Sequence, residues 1–165
     1  MKIKFDSNQP YQLDAINTVV DVFDGQPLAA GTFEVRLDAP DQMAGWSELG
    51  IGNHLTLDDE AMLANLHGVQ ARNDITLSTA LETLPSMDFS GQPSTFHNFS
   101  VEMETGTGKT YVYLRTIFEL YQRYGYSKFI IVVPSVAIRE GVMASVRMTH
   151  EHFKTIYGNV PVDCW

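Results

Sequence analysis

The sequence has almost no sulfur chemistry to offer: a single cysteine, Cys164, stands beside the last residue. One thiol excludes a disulfide framework and a thiolate cluster for zinc. With no matching His or Asp arrangement around it, Cys164 reads as a bystander rather than a nucleophile. Long apolar runs are also missing. No stretch approaches the roughly 20 residues needed to span a bilayer, and the opening "MKIKFDSNQP" lacks the apolar core of a signal peptide. The expectation is a cytoplasmic protein with no membrane partner.

Positive charge is scarce over half of the chain. From residue 21 to residue 104 only Arg36 and Arg72 stand against fourteen Asp or Glu, whereas residues 105–165 hold seven Lys or Arg against four acids. The net charge of −9 therefore argues against a generic nucleic-acid-binding surface, yet its distribution leaves the C-terminal part open to a polyanionic partner. A length of 165 residues with 44% hydrophobic residues suits one domain with a sizeable core. No internal repeat or low-complexity tract is visible.

Three stretches carry recognisable structure. In "PYQLDAINTVVDVFD", Pro10 suits a first helical position, Leu13, Ile16, Val20 and Phe23 recur at helical spacing, and Gly25 follows the end. Residues 25–97 are rich in Gly, Pro, Ser and Asp and read as an acidic insertion, a solvated decoration with short helices in "LDDEAMLANLHGVQARN" and "LSTALETL". After it come a short strand, "FSVEM", a loop, "ETGTG", a helix from Lys109 to Tyr124 closed by Gly125, a strand, "KFIIVV", and a helix from Ser135 to about Met148. That order is the opening of a parallel α/β sheet with flanking helices.

The loop "ETGTGKT" has the residue types that phosphate binding demands. Gly106 and Gly108 can take backbone angles closed to other residues, so that the amides of Thr105, Gly106, Thr107 and Gly108 approach phosphate oxygens closely. Lys109 supplies a cation to the β- and γ-phosphates, Thr110 a hydroxyl to Mg²⁺, and the helix they open adds its N-terminal amides. The competing reading is a ligand-free turn between strand and helix. Met103 occupies the position where the strict phosphate-loop pattern has its first glycine.

Two further residue groups bear on the same chemistry. Gln12, early on the first helix, can both donate to and accept from the edge of an adenine. Phe5 has an apolar ring to set against a base or in the core. In "VVPSVAIREGV" a strand, a proline and a helix start present backbone amides and the Ser135 hydroxyl at the edge of the sheet where α/β ligands gather. Arg139, one turn on, pairs with a phosphate or simply with Glu140 or solvent. The five histidines show no ligand-like constellation; the close pair His150 and His152 reads as an exposed helix end or loop.

"QPYQLDAI", "METGTGKTYVYLRTI" and "VPSVAIREGV" together resemble the N-terminus of the restriction (Res) subunit of type III restriction-modification enzymes, a superfamily 2 helicase-like motor. The resemblance covers essentially the whole chain. It implies an incomplete RecA-like P-loop domain over residues 1–165 with the acidic insertion at 25–97, the second RecA-like domain and the nuclease domain being absent. It implies ATP and Mg²⁺ as cofactors, with Gln12 reading adenine, Thr105 to Thr110 holding triphosphate and metal, Lys109 and Thr110 serving catalysis, and Ser135 and Arg139 lying near double-stranded DNA. A methyltransferase (Mod) subunit is the implied partner.

The acidic Asp-Glu motif that such a motor uses after the loop is not found: between Val142 and Trp165 the only acids are Glu151 and Asp163. The chain thus reads as a fragment that hydrolyses ATP negligibly and cuts no DNA. Other readings stay open: a different superfamily 2 motor, a non-motor P-loop ATPase or kinase, or a remnant that binds a partner through its acidic middle.

Overall fold

The computed structural model describes residues 5–28, 53–88, 90–162 and 164. The part of the expected insertion over residues 29–52 lies outside them. Helix α1, Pro10–Val20, starts on its proline and passes into a 3-10 turn, Asp21–Phe23, short of the single helix to Asp24 that periodicity suggests. Ile16 and Val20, one turn apart, are its buried pair. Gly25 takes the left-handed φ of +85° that ends the run.

Helix α2, Asp59–Arg72, is capped by Asp58, whose carboxylate accepts from the Ala61 amide, and carries Asp59 and Glu60 at its positive end and Arg72 at its negative end. It buries Met62 and Val69, rather than Leu63 and Leu66, against Val22. Asn65 donates to the carbonyls of Val22 and Asp24, and Arg72 pairs with Asp21 at 2.9 Å. Residues 53–72 are therefore docked on the end of α1 and are not the free decoration expected from composition.

"LSTALETL" does not form a helix. Pro85 disfavours helical angles at Leu84, and residues Thr83–Met87 instead make strand β1, paired antiparallel with β2, Pro93–His97, in the register Leu84 opposite Phe96. The turn is organised by the Asp88 carboxylate, which accepts from the amides of Ser90 and Gln92 and the Ser90 hydroxyl. The Ser90 hydroxyl foremost, with the amides, holds the Asp88 carboxyl below its usual range.

Helix α3, Lys109–Tyr124, lies between Gly108 and Gly125, both at left-handed φ. It is the centre of the molecule, with one side facing α1 and the other facing helix α4, Val136–Tyr157. Val112, Leu120 and Tyr124 pack with Ile16 and Val20, and the Tyr124 hydroxyl donates to the Val20 carbonyl at 3.1 Å. Tyr111 and Leu114 pack with Phe153, with Phe118 and Val146 around them. Of the apolar face that spacing suggests, Tyr113, Ile117, Leu120, Tyr121 and Tyr124, the residues Leu120 and Tyr124 are buried, Tyr113 and Ile117 are half-buried and Tyr121 is exposed. Helix α4 runs nine residues past Met148, to Tyr157, with Gly158 at its C-cap.

The expected parallel sheet is not formed among the described residues, whose only sheet is the hairpin β1–β2. The segments 99–103 and 128–133 belong to no strand of that sheet, and Ile130 and Val132 are 92% and 87% exposed. An apolar run becomes a buried strand only where neighbours take its amides and carbonyls. Here the nearest such contact comes from Asn53, which binds the main chain of Ser127 and Lys128 through its carboxamide. No helix among the described residues is long and apolar enough to cross a membrane.

Candidate nucleotide site

The loop between Met103 and α3 is shaped by its two glycines. Gly106 and Gly108 have φ of +85° and +86°, a region that L side chains rarely adopt. The Thr107 hydroxyl donates to the Glu104 carbonyl at 2.7 Å and closes the turn. The first helical bond runs from the Val112 amide to the Gly108 carbonyl, and no side chain caps the helix start. The amides of Lys109, Thr110 and Tyr111 therefore precede the hydrogen-bond ladder and form a donor set suited to an anion.

Lys109 is exposed and has no ion-pair partner among the described residues, and Thr110 beside it is half-buried. Thr105 is exposed at the tip of the turn. Met103 answers for its own departure from the glycine pattern: its side chain packs against the cluster of Ile16, Val20 and Val112. That position faces the core, so an apolar side chain serves there.

Gln12 reaches this loop from the first turn of α1. Its Nε2 donates to the Thr107 carbonyl at 2.9 Å, and a Cβ added to Gly108 would stand 2.6 Å from the same nitrogen. Glycine at 108 thus serves both the backbone angle and the close approach of Gln12. Nε2 also makes a long, exposed contact of 3.5 Å to the Tyr11 hydroxyl, which a ligand beside the loop can replace, and Oε1 can accept from the same ligand.

Ser135 and Arg139 are placed elsewhere. Ser135 is the N-cap of α4, its hydroxyl accepting from the Ile138 amide at 3.3 Å. Arg139 is 66% exposed and pairs with Glu140 at 3.0 Å. No contact among the described residues joins either of them to the loop. Phe5 lies against Tyr111, centroids 5.9 Å apart and nearly parallel, which is the core role rather than a platform for a base.

Beneath the loop helix lies a polar network that spacing alone does not reveal. Arg115, 8% exposed, donates from Nη1 to the Ser7 carbonyl at 2.6 Å and from Nε to the Tyr157 hydroxyl at 3.0 Å. Tyr157 in turn donates to Glu119 at 2.6 Å. Burial, then the Glu119 hydrogen bond, pushes the Tyr157 phenol well above its ordinary range. Burial opposes the Arg115 charge, but Tyr157 and Tyr111 more than offset it, so the guanidinium stays firmly protonated.

His152 is not on an exposed end. It lies within α4, its Nε2 2.8 Å from the Tyr111 hydroxyl, and burial, with Arg115 nearby, lowers its pKa below 6.5. His150 contacts Glu151 at the surface. Among the described residues no group of three or more His, Cys, Asp or Glu is placed to hold a metal.

Comparison with known proteins bears on the same residues. A family model described as "Type III restriction enzyme, res subunit" matches residues 7–160. The Res subunit of the type III restriction-modification enzyme EcoP15I from Escherichia coli is 32% identical over 155 residues, covering 92% of this chain and 14% of that protein. The StyLTI Res subunit from Salmonella typhimurium is 47% identical over 68 residues, covering 40% of this chain and 7% of that protein. The chain thus spans at most 14% of the length of these curated relatives. No solved structure matches it.

Proposed function

Because this chain belongs to the family of type III restriction enzyme Res subunits, a helicase-like group, we propose that α1 and the phosphate loop form the adenine-nucleotide site of a motor acting on double-stranded DNA. The observation that carries this reading is the bond from Gln12 to the Thr107 carbonyl, which brings together two motifs 95 residues apart. In a ligand-free turn nothing requires two left-handed glycines, an uncapped helix start, an unpaired lysine and a carboxamide at one place.

The donor set fits a triphosphate with its metal. The amides from Thr105 to Gly108 and those opening α3 take phosphate oxygens, Lys109 meets the β- and γ-phosphates, and Thr110 offers its hydroxyl to Mg²⁺. Gln12 reads the adenine edge with the groups that Thr107 leaves free. Bound Mg²⁺ supplies neutralisation of phosphate charge.

DNA is met at the start of α4. With its hydroxyl engaged as a cap, Ser135 offers main-chain amides to a phosphate, and Arg139 exchanges Glu140 for the backbone. Residues 1–165 are the N-terminal part of the first RecA-like domain, and 25–97 are an insertion within it. The whole Res subunit cleaves DNA together with a Mod methyltransferase that recognises the site. The 165 residues alone bind nucleotide without turning it over, since no Asp-Glu pair follows the phosphate loop to orient water.

The test is ligand-dependent stabilisation. Mg²⁺ and ATP at about 100 times Kd raise the melting temperature of the chain by the equivalent of about 2.7 kcal/mol, and leave that of Lys109→Ala unchanged. Equal shifts in both proteins would rule the loop out as the site.

A further inference from the structure

The start of α1 has little core to hold it. Ile16 and Val20 anchor the body of the helix, but Pro10, Tyr11 and Asp14 at its start are exposed. Gln12 therefore needs another restraint if its carboxamide is to stay on the Thr107 carbonyl. The segment just before α1 supplies one. Phe5 stacks on Tyr111 and the Ser7 carbonyl accepts from Arg115.

Both contacts fall on α3, where residues 111 and 115 lie about 6 Å apart along the helix, so the segment from Phe5 to Ser7 is held at two points on that helix. From Ser7 the chain has little freedom before Gln12. Asp6 accepts from the Asn8 amide at 2.9 Å and the Gln9 side chain at 2.8 Å, Pro10 fixes the next φ, and the Gln12 amide donates to the Gln9 carbonyl. The guanidinium itself is held in place by Tyr157 of α4.

We infer that Arg115 is a positioning residue for adenine recognition, fixing the Ser7 carbonyl so that Gln12 is presented to the phosphate loop. This rests on the nucleotide site proposed above. Arg115 touches no ligand; it acts through Gln12, and its removal affects the choice of base rather than the hold on phosphate. Burial of the guanidinium, its hydrogen bonds to a main-chain carbonyl and a phenol, and a longer 3.9 Å contact with the little-exposed Glu119 carboxylate distinguish it from a surface ion pair. Lysine at 115 keeps one donor for the Ser7 carbonyl but loses the fork that also binds Tyr157.

The experiment measures Kd for ATP and for GTP, both with Mg²⁺, by displacement of a fluorescent ATP analogue from the 165-residue chain. Arg115→Met is expected to lower the ATP-over-GTP preference about fivefold, the size of one hydrogen bond, and Arg115→Lys to restore part of it. In a Gln12→Ala background, Arg115→Met is expected to leave the preference where Gln12→Ala put it. A folded Arg115→Met chain that keeps its preference, or that weakens ATP and GTP equally, overturns the inference.

Should Arg115→Met fail to melt cooperatively, Tyr157→Phe takes its place, with a smaller loss in the same direction expected and no loss overturning the idea. A wild-type chain without adenine preference, or one whose preference survives Gln12→Ala, refutes the reading of Gln12 itself, and the role of Arg115 falls with it.

Discussion

The Gln12 carboxamide lies against Gly108 so closely that a Cβ on that glycine would sit 2.6 Å from Nε2, while the same nitrogen donates to the Thr107 carbonyl at 2.9 Å. The last glycine of the loop and the glutamine of α1 are thus one unit, and substitutions at the two positions are coupled.

Gly108→Ala forces a side chain into a φ of +86° and into Gln12. The backbone alone costs about 1 to 2 kcal/mol, so a lower denaturation midpoint and weaker ATP binding are expected. Adding Gln12→Ala relieves the clash but not the angle. The double variant is therefore expected to be less destabilised than the sum of the singles, as a chemical-denaturation cycle would show.

Met103→Gly restores the strict loop pattern and is expected to do harm. Met103 packs on Ile16, Val20 and Val112, so its deletion leaves a hole and adds a glycine to the unfolded chain, together about 1 to 3 kcal/mol. A denaturation midpoint that stays put, or tighter ATP binding, would show that residue 103 faces the phosphates instead.

Ser135→Ala removes the cap of α4. About 1 kcal/mol of stability is expected to go, with nucleotide affinity unchanged because no contact joins Ser135 to the loop among the described residues. Thermal melts with and without Mg²⁺ and ATP separate the two effects.

His152 makes stability depend on pH in a defined direction. Its folded pKa is depressed below 6.5 by burial and by Arg115, so the unfolded chain binds the proton more tightly. The stability it contributes is present above about pH 6.5 and is lost as pH falls through the folded value. Melting temperature is expected to drop below pH 6.5 in the wild type and to drop less in His152→Gln; parallel profiles would remove His152 as the cause.

What the residues revealed in advance is what residue type alone decides. Gly106, Gly108 and Gly125 stand at left-handed angles that only glycine takes readily, and Ser135 caps the helix it precedes. Those needs are local, so the loop and the helix starts are legible. Strand formation is not local: "KFIIVV" has the composition of a buried strand, but a ladder needs partners, and Ile130 and Val132 have none among the described residues.

The hairpin was hidden for the opposite reason. Its strands are largely exposed, and their apolar residues Leu84, Met87 and Phe96 follow no two-residue period, so Thr83–Met87 and Pro93–His97 show no alternation to read. Arg115 left no signal either, because its partners are a main-chain carbonyl 108 residues away and a hydroxyl 42 residues away. The resemblance assigns Gln12 and the loop to one nucleotide but says nothing of contact between them; in the structure they share a hydrogen bond.

The most direct test of the account is a competition titration of ATP and GTP, with Mg²⁺, against a fluorescent ATP analogue on the wild-type chain, Lys109→Ala and Gln12→Ala. The account predicts binding that favours ATP, disappears in Lys109→Ala, and persists without base preference in Gln12→Ala. A folded wild-type chain that binds neither nucleotide, or binds both equally with or without Lys109, would contradict it.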